Sequence, residues 1–188
     1  MNAPLLTGGF ADPARDSAHA FRAVLEAMAR PGTIQTVAGH AAPGLSPAAS
    51  TLLLVLTDQT TPLHLAGPLD TDDLRGWIVF HTGAPLAAAP DAAFALGRLA
   101  DLHPVTRFRI GHPSYPDRSA TLIVECDRLA NDGPRLTGPG IRDSARLSLP
   151  ETAAFRANRA LFPLGFDTIL TCGDRLAALP RTTIVEDN

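Results

Sequence analysis

The run Ala120-Thr121-Leu122-Ile123-Val124-Glu125-Cys126 is the clearest strand signal in the chain, an apolar and β-branched stretch closed by a charge and a thiol. Read outward from it, helical and strand-like segments interleave in both directions. That pattern argues for an α/β fold whose sheet is covered on both faces.

Downstream lies Arg135-Leu136-Thr137-Gly138-Pro139-Gly140-Ile141-Arg142, a small-residue turn held between two arginines. Gly138 and Gly140 admit positive φ and Pro139 presets its own, so Pro139-Gly140 reads as the centre of a type II turn. Closely spaced N–H groups in such a turn form an anion-binding concavity, on which Arg135 and Arg142 could close around a phosphate or phosphonate. The other reading is a turn leaving a sheet with its arginines solvated. Ser148 to Arg159 then reads as an amphipathic helix with Pro150 near its start, and Phe166 to Thr171 as a buried strand. Cys172-Gly173-Asp174 turns the chain into another strand, Arg175 to Leu179. This hairpin makes the expected sheet mixed, mostly parallel and flanked by helices, in a single domain over residues 1–188.

Upstream, residues 1–15 carry Gly8-Gly9 and Asp12-Pro13 and are expected to form an irregular N-terminal arm. A helix follows, capped by Asp16 or Ser17, with Phe21, Val24, Leu25 and Met28 as one apolar stripe facing a core. Arg30-Pro31-Gly32 stops it, and Thr33 to Val37 is a short β-like run. Ser46-Pro47 is an N-cap with proline at the first helical position, and Ala48 to Asp58 is apolar all round, a central helix or, by its length, a buried strand. Pro62 to Leu65 reads as a strand. Thr71-Asp72-Asp73 opens a third helix that puts Leu74, Trp77, Ile78 and His81 on one side and ends at Gly83. Phe94-Ala95-Leu96 is either a strand or part of a helix over Pro90 to Asp101, and His112 to Asp117 is a turn-rich loop.

Composition narrows the chemistry. The 188 residues carry 45% hydrophobic content and a net charge of −3, an ordinary globule without the basic footprint of a nucleic-acid binder. The longest apolar run, Leu52 to Leu56, is far short of the roughly 20 residues that cross a bilayer, and Met1 to Leu6 lacks the charged start of a signal peptide. A cytoplasmic protein is expected, with Cys126 and Cys172 as reduced thiols in or beside strands and neither of them catalytic. All 16 basic residues are arginine. Without lysine the chain alone forms neither a Schiff base nor the lysine-dependent P-loop of nucleotide hydrolases.

Nucleophile-elbow and dinucleotide-binding glycine patterns are absent as well. His19, His40, His64, His81, His103 and His112 include no i, i+4 pair and no neighbouring cysteine, so their spacing does not support a metal site. His81-Thr82 at the end of the third helix could receive a phosphate or donate a proton, or the histidine simply caps the last carbonyls.

Several motifs in order make the chain resemble one family. Arg30-Pro31-Gly32, Phe80-His81-Thr82-Gly83-Ala84-Pro85-Leu86, Leu136-Thr137-Gly138-Pro139-Gly140-Ile141, Phe162-Pro163-Leu164-Gly165-Phe166-Asp167-Thr168-Ile169-Leu170-Thr171-Cys172-Gly173 and Leu179-Pro180-Arg181-Thr182-Thr183 together resemble the PhnH family of the bacterial carbon–phosphorus lyase system, from about Phe10 to Thr183. The stretch Pro90 to Pro116 matches no motif.

The resemblance implies phosphonate utilisation by a core complex of PhnG, PhnH, PhnI and PhnJ that, with the ATPase-like PhnL, forms ribose 1-methylphosphonate 5-triphosphate from ATP and methylphosphonate. It places the nucleosidase chemistry in PhnI and the radical iron–sulfur chemistry in PhnJ. The PhnH-like chain is then a non-catalytic or accessory subunit, without a catalytic residue or cofactor of its own, partnered by PhnG, PhnI and PhnJ and homodimeric when isolated. The implied fold is similar to the large domain of pyridoxal-phosphate-dependent transferases, here without the aldimine lysine. The candidate anion-binding or interface residues are Arg30, His81, Thr82, Arg135, Thr137, Gly138, Gly140 and Arg142. An alternative role is a substrate-binding subunit that contributes a phosphate or phosphonate site.

Overall fold

The computed structural model describes residues 7–39 and 41–186. Its elements run α1 (Pro13–Ala29), β1 (Gln35–Thr36), α2 (Pro47–Leu56), β2 (Leu63–Leu65), α3 (Asp72–His81), β3 (Phe94–Gly97), α4 (Leu99–Leu102), β4 (Ile110–His112), β5 (Tyr115–Ser119), β6 (Thr121–Glu125), β7 (Arg135–Thr137), β8 (Ala145–Arg146), α5 (Ala153–Arg159), β9 (Asp167–Cys172), β10 (Arg175–Leu179) and β11 (Ile184–Val185). His40 and the first residues of the expected N-terminal arm, 1–6, lie outside the described residues.

Three successive β6 side chains, Leu122, Ile123 and Val124, are fully buried because each face of the strand meets a different apolar layer. Ile123 joins Leu63, Leu96, Ile169 and Leu176 beneath α1, α2 and α3. Leu122 and Val124 join Leu170, Ala177 and Leu179 beneath α4, α5 and a small second sheet. β6 is thus an inner strand of a six-stranded sheet in the order β1-β10-β9-β6-β3-β2. β2, β3, β6 and β9 run parallel, with Leu96 opposite Ile123 and Ile123 opposite Ile169. β10 returns antiparallel to β9, and β1 pairs antiparallel with β10. The expected α/β architecture with a mixed, mostly parallel sheet is the one observed.

The second sheet, β11-β7-β8, is antiparallel and brings Ile184 opposite Thr137 and Arg135 opposite Arg146. It carries the 135–142 stretch on the side of the main sheet away from α2 and α3.

Several local expectations shift. α1 starts at Pro13, because Asp12 rather than Asp16 or Ser17 is its cap, its carboxylate accepting from the Arg15 N–H at 3.3 Å. The irregular arm therefore ends before residue 15. Its buried seam is Ala20, Val24 and Ala27, whereas Phe21 and Leu25 are 44% and 52% exposed, so the large apolar residues do not form the single inward stripe that their spacing suggests.

The apolar run after Ser46 is helical, opened by Ser46 Oγ accepting from the Ala49 N–H at 3.1 Å. Phe94-Ala95-Leu96 is a strand, and the Asp117 side of the expected loop is β5, paired with β4. Only Ala153–Arg159 of the expected 148–159 helix is helical.

Candidate functional site

The turn after β7 has the geometry its residues predict. Ile141 N–H donates to the Gly138 carbonyl at 3.1 Å, and Gly140 adopts φ +81°, the third position of a type II turn. Gly140 is also fixed by packing: a Cβ there would stand 2.1 Å from the Ala29 carbonyl oxygen, at the end of α1. A Cβ on Gly32 would stand 2.5 Å from that of Ala145 in β8. The Arg30-Pro31-Gly32 corner, the β7 turn and β8 thus interlock, which the sequence order alone does not reveal.

The charges around this turn are arranged differently from a cradle closed by two arginines. Arg135 Nη1 donates to both carboxylate oxygens of Glu186, each at 2.8 Å, and Thr137 Oγ1 donates to Glu186 Oε1 at 3.3 Å. A carboxylate of the chain itself thus lies against Arg135 and Thr137. Nothing near Glu186 in sequence marks it, since its only signal is a place opposite β7 set by the β11 pairing. Arg142 projects exposed beyond the turn, and Arg30 is exposed beside Glu26 at 3.5 Å.

His81 and Thr82 sit elsewhere. Thr82 caps α3: its hydroxyl donates to the Ile78 carbonyl at 2.8 Å and accepts from the Ala84 N–H at 3.1 Å. The His81 ring stacks at 4.5 Å on Trp77 and meets Phe80 edge-on at 4.9 Å. Gly9 passes over it so closely that a Cβ would come within 3.2 Å of the ring.

His81 Nε2 is buried without a hydrogen-bond partner, and the ring borders a cavity of about 540 Å³ with Gly8, Phe10, Ser17 and Leu54. Ser17 belongs to the first turns of α1, while the Gly140 turn packs on its last residue, Ala29. At 1.5 Å per residue these points lie about 18 Å apart along the helix. The structure therefore divides the candidate set in two, Arg30 with the 135–142 turn and His81 with Thr82.

A third place lies apart from both groups of candidate residues. At the carboxyl ends of β3 and β6, where open α/β sheets commonly bind ligands, a cavity of about 540 Å³ is bordered by Arg98, His103, Cys126, Asp127, Ser148 and Glu151. Arg98 forks onto Asp127 with contacts of 3.0 and 2.9 Å, and His103 Nε2 meets Glu151 Oε1 at 3.1 Å. Hydrogen bonding to Asp127 raises the Arg98 guanidinium above its ordinary range, so it stays a fixed cation. On the opposite face of the sheet Glu125 accepts from the Ser46 N–H at 2.8 Å and the Thr171 hydroxyl at 3.1 Å, linking β6, β9 and the start of α2. The signal for this place lies in Arg98 and Cys126-Asp127 directly after strands, legible only once 94–97 is read as β. Among the described residues no group of three histidines, cysteines or carboxylates is placed to hold a metal ion.

Comparison with known proteins matches residues 8–186 to the family described as bacterial phosphonate metabolism protein (PhnH). The chain is 37% identical over 194 aligned positions to the alpha-D-ribose 1-methylphosphonate 5-triphosphate synthase subunit PhnH of Rhizobium meliloti (strain 1021), covering 97% of this chain and 96% of that protein. It is 34% identical over 174 positions to a Stutzerimonas stutzeri protein named as a C-P lyase subunit, HtxG, covering 87% of this chain and 83% of that one.

Proposed function

The chain belongs to the PhnH family, and from that premise we propose that it is an accessory subunit of the C-P lyase system, needed for making ribose 1-methylphosphonate 5-triphosphate from ATP and methylphosphonate. The observation that carries this reading is the near end-to-end match to a relative named as a synthase subunit. The chemistry of the chain agrees with it. The chain has no lysine, and Arg135 and Thr137 of the 135–142 stretch are engaged with the chain's own Glu186.

The proposed partners are PhnG, PhnI and PhnJ, with a homodimer in their absence and the cytoplasm as the compartment. Exposed apolar side chains support docking: Phe21 and Leu25 on α1, Val79 and Phe80 on α3, and Leu161 and Phe162 after α5. Likeness to the large domain of pyridoxal-phosphate-dependent transferases is part of the same proposal. A mixed, mostly parallel sheet covered on both faces supports it. The test is size-exclusion chromatography of the purified chain alone and with PhnG, PhnI and PhnJ. Co-elution in a defined ratio is expected, and separate elution of all four overturns the reading.

One observation favours a second role, in which the subunit also binds the anionic substrate. The Arg135–Glu186 pair is partly exposed, and such a pair is worth at most about 1 kcal/mol, so a phosphate could displace the carboxylate. Titration with ATP and with methylphosphonate tests it. Saturable binding that weakens in Arg135→Ala and Arg142→Ala is expected, and full activity of the assembled complex carrying both changes removes the idea.

A further inference from the structure

The two cysteines of the chain stand side by side. In the parallel ladder of β6 and β9, Glu125 lies opposite Thr171, and Cys126 N–H continues the ladder by donating to the Thr171 carbonyl at 2.8 Å. The next rung places Cys126 opposite Cys172. Both side chains pack against the layer that holds Leu122, Val124 and Leu170, so both leave the sheet on the same face. Neighbouring strands lie about 4.8 Å apart, inside the roughly 4.4–6.8 Å between Cα atoms that a disulfide spans.

Both cysteines are partly exposed. Cys126 borders the cavity at the carboxyl ends of β3 and β6, and Cys172 leads into the open Gly173 turn, where even a Cβ on the glycine would touch nothing.

We propose that Cys126 and Cys172 form a reversible intramolecular disulfide by exchange with a low-molecular-weight disulfide, joining the carboxyl ends of β6 and β9 beside the cavity. In the first step the Cys172 thiolate attacks one sulfur of the external disulfide, whose S–S bond breaks as one thiolate leaves. The Cys126 thiolate then attacks the Cys172 sulfur of this mixed disulfide, forming the internal bond and expelling the second thiolate. The two protons given up by the cysteines end on the two expelled thiolates. The protein loses two electrons and the external disulfide gains two. Burial first, and the neighbouring Cys172 second, push the Cys126 thiol up to about 12, so the closing step is slow and quickens as pH rises. Closure joins the ends of β6 and β9 directly next to Glu125, which already holds Ser46 and Thr171.

The test equilibrates the folded 188-residue chain with a mixture of oxidised and reduced glutathione, traps free thiols by alkylation, and maps the peptides by mass spectrometry. The expected product is a joined pair of peptides carrying Cys126 and Cys172, lighter by two hydrogens. Its ratio to singly glutathionylated chain should be at least about tenfold higher in the folded protein than in urea at the same glutathione ratio, because folding raises the effective thiol concentration. Cys126→Ser and Cys172→Ser should each leave one stable glutathione adduct and no closed form. A closed-form ratio equal in folded and urea-treated chain overturns the proposal. So do stable glutathione adducts on folded wild type, or thiols that remain fully alkylatable after equilibration. The wild-type comparison decides the matter even where a serine variant does not fold.

Discussion

Arg181 grips Asp167 from three directions: its backbone N–H and Nε reach Oδ1 at 2.9 and 3.2 Å, and Nη2 reaches Oδ2 at 2.6 Å. The same guanidinium donates to the Pro116 carbonyl at 2.8 Å and to the Ser119 hydroxyl. With side chains only 11% and 19% exposed, this pair ties the start of β9 to β5 and to the segment that leads into β11.

Asp167→Ala leaves Arg181 largely buried without its counter-charge and is expected to cost about 2–4 kcal/mol. Asp167→Asn, which keeps one acceptor, should cost less, and Arg181→Lys cannot reproduce the fork. Urea unfolding measures all three; wild-type midpoints across the set would show that the network does not contribute to stability.

Gly140→Ala meets both a left-handed backbone and the Ala29 carbonyl 2.1 Å from the new Cβ. Loss of at least about 3 kcal/mol is expected, since strain at such a position alone costs about 1–3 kcal/mol. Gly173→Ala provides the contrast: its φ of +61° is also left-handed, but the space around it is open. That change should cost only about 1–2 kcal/mol. Equal losses in thermal melts would mean that packing on α1 is unimportant.

Removing the Glu125 carboxylate strands the Ser46 N–H and leaves the Thr171 hydroxyl with only its longer bond to the Val124 carbonyl, at 3.3 Å. Glu125→Ala is expected to lower stability by about 1–3 kcal/mol. Hydrogen exchange should locate the loosening at the first turn of α2 rather than in α1.

Acid and alkali act on different groups. The Arg75 hydrogen bond holds the Asp70 carboxyl below its ordinary value of 3.8, so this pair contributes above that value, and the contribution is lost as pH falls through the lower folded value. Arg75→Ala should return the Asp70 titration, followed by carboxyl NMR, to the ordinary range. Cys126 runs the other way. Its thiol is raised from 9.0 to about 12, so the folded state keeps a proton that the unfolded state has shed, and the contribution present below pH 9 declines as pH climbs towards 12. The slope is at most about 1.4 kcal/mol per pH unit. Cys126→Ser should flatten that alkaline limb in urea melts performed across the range.

These residues also show how far a sequence can be read. β6, the Ser46 and Thr71 caps and the Pro139-Gly140 turn were legible, because each depends on neighbours within a few positions. The burial of α1 was not: its seam is built from Ala20, Val24 and Ala27, whose small side chains let helix and sheet approach, while Phe21 and Leu25 face outward. Phe94–Gly97 is too short to declare itself and becomes a strand between β2 and β6. Of the candidate site, the turn and its glycines were readable. The Arg135–Glu186 pair and the cavity near Arg98 join residues about 50 and 30 positions apart, which only the sheet pairings bring together.

Trp77 is the sole tryptophan of the chain and is fully buried, with its indole N–H donating to the Thr7 carbonyl at 2.8 Å and its ring against His81. Gly8 and Gly9 pass close against these two rings. The protein therefore carries a built-in optical gauge: emission excited at the indole band comes from one dry, hydrogen-bonded fluorophore. Lifting of Thr7 to Gly9 from α3 is expected to appear as a red shift in that emission.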